Sequence, residues 1–247
     1  MAAARPWPTG TEAEEAVFVM ITFQAGTVRV VVAALALLLL SAAAGAKNSP
    51  DIDNRMRGNA DAPVTLIEYS DFTCGYCLKF FKETWPRLQA RYIDTGKVRF
   101  LYKDYPRADQ GPGVSAALAA RCAGDQGAYW PMHDRLFADG GRLDADLFVT
   151  HAKAIGLDQA AFRQCLRDAA YLPAIFEDRQ EANSWGFRGT PGFVLMKTAQ
   201  EPTKQDPAVA IPGAFPFEAF AEEIDKMLAA APPAKSGPSK PEQGRSK

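Results

Sequence analysis

The sequence predicts a mixed α/β protein in which a block of helices is inserted into a sheet-containing domain. Three observations carry that expectation. Residues 64–69 (VTLIEY) and 98–102 (VRFLY) are short β-branched and aromatic runs with one helical pattern between them, which makes a βαβ unit. Residues 113–186 then carry only helical patterns. Residues 193–196 (FVLM) and 208–211 (AVAI) return to strand before a last amphipathic helix at 217–228.

Composition sets the outer bounds. The 247 residues hold 28 basic and 29 acidic side chains, with 47% hydrophobic and 23% charged content, which excludes wholesale disorder. A formal charge of -1 excludes a basic nucleic-acid binder, so no nucleic-acid partner is expected. Four cysteines are too few for a disulfide-dense miniprotein, and two histidines leave little material for a histidine-rich metal site.

The N-terminus points to export. Arg29 precedes an unbroken apolar run at 30–40 (VVVAALALLLL), and small residues fill 41–46 (SAAAGA). A positive residue, a short apolar stretch and a small-residue end form a secretory signal with cleavage after Ala46. A retained membrane anchor and a buried core helix are the alternatives; a spanning helix wants about 20 apolar residues. Glu12, Glu14 and Glu15 fit a signal badly, so translation is expected to start at Met20. Without residues 1–46 the two signs of charge balance, and charge names no partner.

Residues 47–62 read as a polar lead-in with turn formers. The strand at 64–69 follows, and a helix should start near Cys74 with Cys77, Phe81, Leu88 and Tyr92 on one face. Pro86 should kink it, since proline lacks an N–H. Gly96 ends it, and the strand at 98–102 should lie parallel to the first through a right-handed crossover. In the block, helices are expected at 114–122, 130–137, 144–155, 158–166 and 172–185; Asp144 and Asp158 open two of them as caps. The strand at 208–211 is a plausible antiparallel partner for 193–196. Residues 231–247, rich in proline, lysine and serine, should be a disordered tail.

The chemistry centres on residues 72–77 (FTCGYC). Two cysteines three apart at a helix start are close enough to bond. Cys74 at the helix end meets unpaired N–H groups and the helix dipole, which stabilise a thiolate. Cys77, one turn in, is shielded and suits a resolving thiol in exchange through a mixed disulfide. Half of a zinc site and an inert structural disulfide are the competing readings. Zinc would need further ligands, and only the isolated Cys122 and Cys165 remain, so no metal is expected.

With its flanking strand (VTLIEYSDF), the FLYKDYP strand, the long helical insertion, the GTPGF segment and the closing FPFEAF helix, this motif resembles the DsbA-like thiol–disulfide oxidoreductases. The likeness covers roughly residues 55–230. It implies a thioredoxin fold with an inserted all-helical domain: first half 63–110, helical insertion 111–186, second half 187–230. It also implies an acid beneath the redox pair at Glu68, six residues before Cys74, and a cis peptide at Pro191 facing the cysteines with Thr190 before it. Glu68 in an apolar strand would be desolvated and its pKa raised, able to exchange a proton with Cys77; a strand-end glutamate reaching solvent is the alternative. Thr190, Pro191 and Tyr76 are the expected substrate contacts.

Cys122 and Cys165, left over in an exported chain, are expected to form a structural disulfide, with buried free thiols as the alternative. His133 and His151 read as ordinary core or surface residues. The Gly75-Tyr76 dipeptide departs from the strongest oxidants of the family, which carry a histidine before the second cysteine; the direction of electron flow stays open on this ground. The leader and the resemblance imply a periplasmic enzyme without cofactor, and a lead-in of about 15 residues after cleavage, too short for a separate dimerisation module, favours a monomer. It would oxidise cysteine-containing exported proteins and be served by a membrane redox partner. A reductase or isomerase is the alternative within the class, and a chaperone or metal-handling binding protein the alternative outside it.

Overall fold

Val64–Ser70 is buried at every residue and forms the centre of a five-stranded sheet in the computed structural model, which describes residues 54–140, 143–198 and 208–230. The expected leader, the tail and most of the 198–206 loop lie outside the described residues. The strands are β1 (Met56–Arg57), β2 (Val64–Ser70), β3 (Val98–Asp104), β4 (Gly192–Lys197) and β5 (Ala208–Pro212), in spatial order β1-β3-β2-β4-β5. β2 runs parallel to β3 and antiparallel to β4, and β5 closes one edge antiparallel to β4. The parallel pair is the expected βαβ unit.

No strand signal precedes residue 64 in the sequence, yet β1 pairs antiparallel with β3, with Met56 opposite Leu101. Two residues carry no periodicity. Their position is fixed from outside: the Arg57 guanidinium lies 4.2 Å from the Trp130 ring centroid and 2.7 Å from Asp134, and the Trp130 indole N–H donates to the Met56 carbonyl (3.1 Å).

The helix after Cys74, α1, runs over residues 75–93. It alternates between α-helical segments (Gly75–Lys79, Trp85–Leu88) and π-helical ones (Phe80–Thr84, Gln89–Ile93). Pro86 does not break it. The widened turn before Pro86 bonds the Trp85 N–H to the Phe80 carbonyl, and the proline sits in the first positions of the next segment, where an N–H partner is dispensable. The inserted register also changes the buried face. Phe80 goes fully inside against Phe193 and Phe220 (4.5 and 5.5 Å between centroids), whereas Phe81 is half-buried and stacks on Phe137.

The helical block comprises α2 (Pro112–Gly124), α3 (Tyr129–Ala138), α4 (Ala145–Ala154), α5 (Gln159–Asp168) and α6 (Leu172–Ser184). Asp144 and Asp158 cap α4 and α5, accepting from the Leu147 and Ala161 N–H groups. A disulfide joins Cys122 on α2 to Cys165 on α5, with Cα atoms 5.7 Å apart. α7 (Phe217–Ala229) ends the described chain. No helix of the described residues is long and apolar enough to cross a membrane.

Strand alternation splits the core. Even-numbered residues of β2 and β3 (Val64, Leu66, Val98, Phe100, Tyr102) pack with α1, α7 and the insertion. Ile67 and Tyr69 face the opposite side, with Ala182 of α6, Phe187 and Val194. Each such side chain contributes about 1.5–3 kcal/mol by leaving water. The face under α1 is the one that carries Glu68.

A buried ion cluster fastens the insertion to the sheet. Arg121 of α2 donates to Asp104 at the end of β3 (2.7 Å) and to Asp178 of α6 (2.6 Å), and Arg55 also reaches Asp178 (2.6 Å).

Candidate active site

The turn between β2 and α1 is built by Asp71, a residue absent from the expected site. Its Oδ1 accepts from the Thr73 N–H and hydroxyl (both 2.7 Å), and its Oδ2 from the Arg107 N–H (3.0 Å). The Asp71 carbonyl accepts from the Cys74 N–H (2.9 Å). Gly113 at the start of α2 permits this, since a Cβ there would meet Asp71 Oδ1 at 2.8 Å. The aspartate two residues before a threonine is an Asx-turn signal, so it was findable in the sequence.

Cys74 is the N-cap of α1, with extended backbone and its carbonyl accepting the Leu78 N–H (3.0 Å). Its thiol is held down to about 5: the Cys77 thiol donates to it, the Thr190 hydroxyl and the Cys77 and Tyr76 N–H groups add to this, and burial opposes. The sulfur lies at the positive end of the helix, although the Cys74 side chain makes no capping hydrogen bond. Cys77 is fully buried one turn later, and burial pushes its thiol well above the usual range, aided by Cys74 and the charge of Glu68. Both cysteines are free thiols.

Glu68 lies 3% exposed on β2, not at a solvent-reaching strand end. Desolvation raises its carboxyl to about 8, with the Ser70 hydroxyl tempering the rise and Cys74 adding to it. Opposite the cysteines, the Thr190–Pro191 peptide is cis, and Cys74 Sγ lies 3.3 Å from the Thr190 carbonyl oxygen. The Phe187 ring presses on Gly192, where a Cβ would come within 2.6 Å, and this contact seats the loop at the head of β4. Tyr76 is 69% exposed, one of two large exposed hydrophobics among the described residues, and stands between the cysteines in sequence.

Cys74, Cys77, Glu68, Thr190, Pro191 and Tyr76 thus converge at one end of the sheet. Cys122 and Cys165 are bonded to each other within the insertion. His151 pairs with Asp139 on the insertion. His133, distant in sequence, packs its ring 4.7 Å from Tyr102 and 5.6 Å from Phe72, and burial holds it below the usual imidazole range. Tyr102 and Ser70 are further polar residues near the cysteines; their only sequence signal is the strand alternation that puts them on Glu68's face. Among the described residues no group of three or more His, Cys, Asp or Glu side chains could hold a metal ion.

A low-pKa sulfur at the helix end, a fully buried high-pKa sulfur one turn in and a buried acid can break and remake a disulfide with the proton handled internally. A mixed sheet with this pair at the head of α1, faced by a cis-proline loop, defines a thioredoxin-fold protein. A family model described as Thioredoxin matches residues 51–208, and the chain belongs to that family. Its fold is similar to α-DsbA1 of Wolbachia pipientis, at 27% identity and a TM-score of 0.64, covering 71% of this chain and 91% of that one. It is also similar to a thioredoxin-like oxidoreductase of Silicibacter pomeroyi, at 25% identity and a TM-score of 0.60, covering 75% of this chain and 100% of that one. The DsbA-like resemblance and the helical insertion read from the sequence hold. In sequence the chain is 38% identical over 147 residues to the Na(+)/H(+) antiporter NhaA 1 of Salinispora arenicola, a match spanning 59% of this chain and 22% of the antiporter.

Proposed function

We propose that this chain is an exported thiol–disulfide oxidoreductase that oxidises cysteine pairs in other exported proteins. The observation that carries the reading is the opposite displacement of two thiols within one helical turn, Cys74 down to about 5 and Cys77 well up. A thiolate stabilised at Cys74 favours the reduced form of the pair, which makes its disulfide the oxidant.

In the cycle a substrate thiolate attacks Cys74 of the Cys74–Cys77 disulfide. The Cys74–Cys77 bond breaks, Cys77 takes the electron pair, and Glu68 supplies its proton. A second substrate thiolate then attacks the substrate sulfur of the mixed disulfide, and Cys74 leaves as the thiolate. The substrate has lost two electrons and gained a disulfide; the enzyme pair is reduced. The Thr190 carbonyl, Pro191 and the exposed ring of Tyr76 would receive the substrate segment around its cysteine. Reoxidation falls to a membrane redox partner, and residues 29–46 (RVVVAALALLLLSAAAGA) support export to the periplasm.

One observation favours a reductase or isomerase instead: Tyr76 brings no imidazolium to the Cys74 thiolate. The antiporter match covers too little of that relative to carry ion exchange to this chain. The test is the reduction potential of the Cys74–Cys77 pair, equilibrated against glutathione, together with oxidation of a reduced unfolded substrate. A potential near about −120 to −180 mV supports the oxidase, and one near about −270 mV, with efficient insulin reduction, supports the reductase.

A further inference from the structure

Three buried side-chain oxygens without a hydrogen-bond partner cluster on one patch of the sheet: Ser70 Oγ, Tyr102 Oη and Asp104 Oδ1. All lie on the face of β2 and β3 that α1 covers. The register sets Glu68 beside Tyr102 and Ser70 beside Asp104, so the four residues form a two-by-two polar array on an otherwise apolar face of β2 and β3. Buried polar oxygens are satisfied in the great majority of cases, and an unsatisfied one calls for an explanation.

Ser70 occupies the key corner. It is 1% exposed, and its backbone carbonyl is committed to the Tyr105 N–H (2.7 Å) while its hydroxyl is not committed. That hydroxyl shares the buried face of β2 with Glu68, two residues along the strand, and it favours ionisation of both Glu68 and Cys77. The surrounding titratable groups are Glu68 on β2, Cys74 and Cys77 at α1, Tyr102 and Asp104 on β3, and Tyr129 and His133 on α3 beyond Tyr102. The cation at this patch, Arg121, is bound to Asp104.

We infer that Ser70 is a positioning residue for proton exchange between Glu68 and Cys77, its hydroxyl turning between them and carrying the proton as a bridge. The inference rests on the proposed redox reading. As Cys77 attacks Cys74 of a mixed disulfide, the Cys77 proton passes to Ser70 Oγ while the Ser70 proton passes to the Glu68 carboxylate. The Cys74–Cys77 bond forms, and the partner sulfur leaves with its electron pair; opening of the disulfide by a substrate runs the same path backwards. Charge assists the step. Cys74 raises the Glu68 pKa, and tying Cys74 into a mixed disulfide removes its negative charge, so Glu68 ionises more readily when the proton must be accepted.

The experiment uses the full protein with glutathione as the probe. Reduced protein is mixed with oxidised glutathione, and release of glutathione from the Cys74 adduct is followed against pH. Ser70→Ala should slow release at least roughly tenfold, Ser70→Thr should restore it, and alkylation of Cys74 should stay unchanged. In unmutated protein, a proton inventory in mixed light and heavy water should curve, since two protons move; a linear inventory overturns the bridge even where Ser70→Ala fails to fold. The infrared carbonyl band of protonated Glu68 provides an arm independent of exchange. Ser70→Ala should move its titration above about 8, because a group that lowers it is lost. An unmoved band, or release at the unmutated rate, overturns the inference. If Cys74 forms no adduct at all, the redox reading fails, and the infrared arm still decides the role of Ser70.

Discussion

The sulfur of Cys74 lies 3.3 Å from the backbone carbonyl oxygen of Thr190. This contact joins the head of α1 to the head of β4, elements separated by the whole helical block. The carbonyl accepts the S–H proton only while Cys74 is protonated. Once the thiolate forms, the sulfur turns to the N–H groups of Tyr76 and Cys77, and the carbonyl is left for an incoming donor. An extended peptide supplies one, so the thiolate state and peptide capture at Thr190 favour each other.

Cys74 alkylation should titrate near about 5, and Cys77 should be the silent thiol at neutral pH. The Cys77 thiol is the largest cause of the low value, so Cys77→Ala should raise the midpoint by about one unit or more, and Cys77→Ser, which keeps a donor, by less. Iodoacetamide rates against pH on each single variant check this. Faster alkylation of Cys77 at neutral pH would reverse the assigned roles. The linkage follows: a depressed folded pKa stabilises the reduced protein at alkaline pH, and that stability is lost as pH falls from about 9 through about 5.

Glu68 carries the opposite sign. Its folded pKa is raised from 4.5 to about 8, so the folded state binds more protons than the unfolded state in that window. Stability therefore falls as pH rises through it. By pH 7 the cost is about 3 kcal/mol, at about 1.4 kcal/mol per unit. Glu68→Gln should stabilise the protein by about that much at pH 7 and by almost nothing near pH 4, while slowing release of the mixed disulfide. Urea unfolding at the two pH values provides the measurement; an equal gain at both would mean that the effect is not ionisation.

The sequence made Glu68 legible because a single carboxylate interrupts an apolar run, and the cysteines legible because their spacing and the helix start coincide. From β2 onward the order of strands and helices followed from periodicity, and the Asp144 and Asp158 caps from residue type at helix starts. What escaped has a common physical character. β1 is two residues long and is held by Arg57 against Trp130 and Asp134, a tertiary clamp without a local pattern. The π turns of α1 trade Phe81 for Phe80 in the core, a one-residue register choice that helical periodicity does not encode. His133 reaches Phe72 and Tyr102 only because the insertion folds back over α1.

Removing the Cys122–Cys165 disulfide should weaken the fold without touching the exchange chemistry. The bond closes a loop with a sequence separation of 43, which corresponds to about 4 kcal/mol in the chain-entropy model. Cys122→Ala with Cys165→Ala should lower unfolding stability by roughly 2–4 kcal/mol, since Cys122 leaves a cavity of little more than one sulfur. Cys74 alkylation and glutathione release should be unchanged. A shifted Cys74 titration would show that the insertion tunes the redox pair through this bond.

The ion cluster makes a sharper test of how the insertion is held. Arg121 is buried and serves two carboxylates, Asp104 at 2.7 Å and Asp178 at 2.6 Å, whereas Asp178 has a second cation in Arg55. Loss of Arg121 therefore strands Asp104 far more than Asp178. Desolvation already raises the Asp104 pKa against the pull of Arg121, and without that pull the carboxyl must take up a proton or remain buried and unpaired. Arg121→Met should cost about 3–5 kcal/mol, the usual penalty for breaking a buried pair from one side. Adding Asp104→Leu removes the stranded charge while Arg55 still holds Asp178, so the double variant should recover part of the loss. A double-mutant cycle by urea unfolding reads this directly. Strict additivity of the two substitutions would mean that Arg121 acts through packing, because a charge pair broken from either side must show coupling.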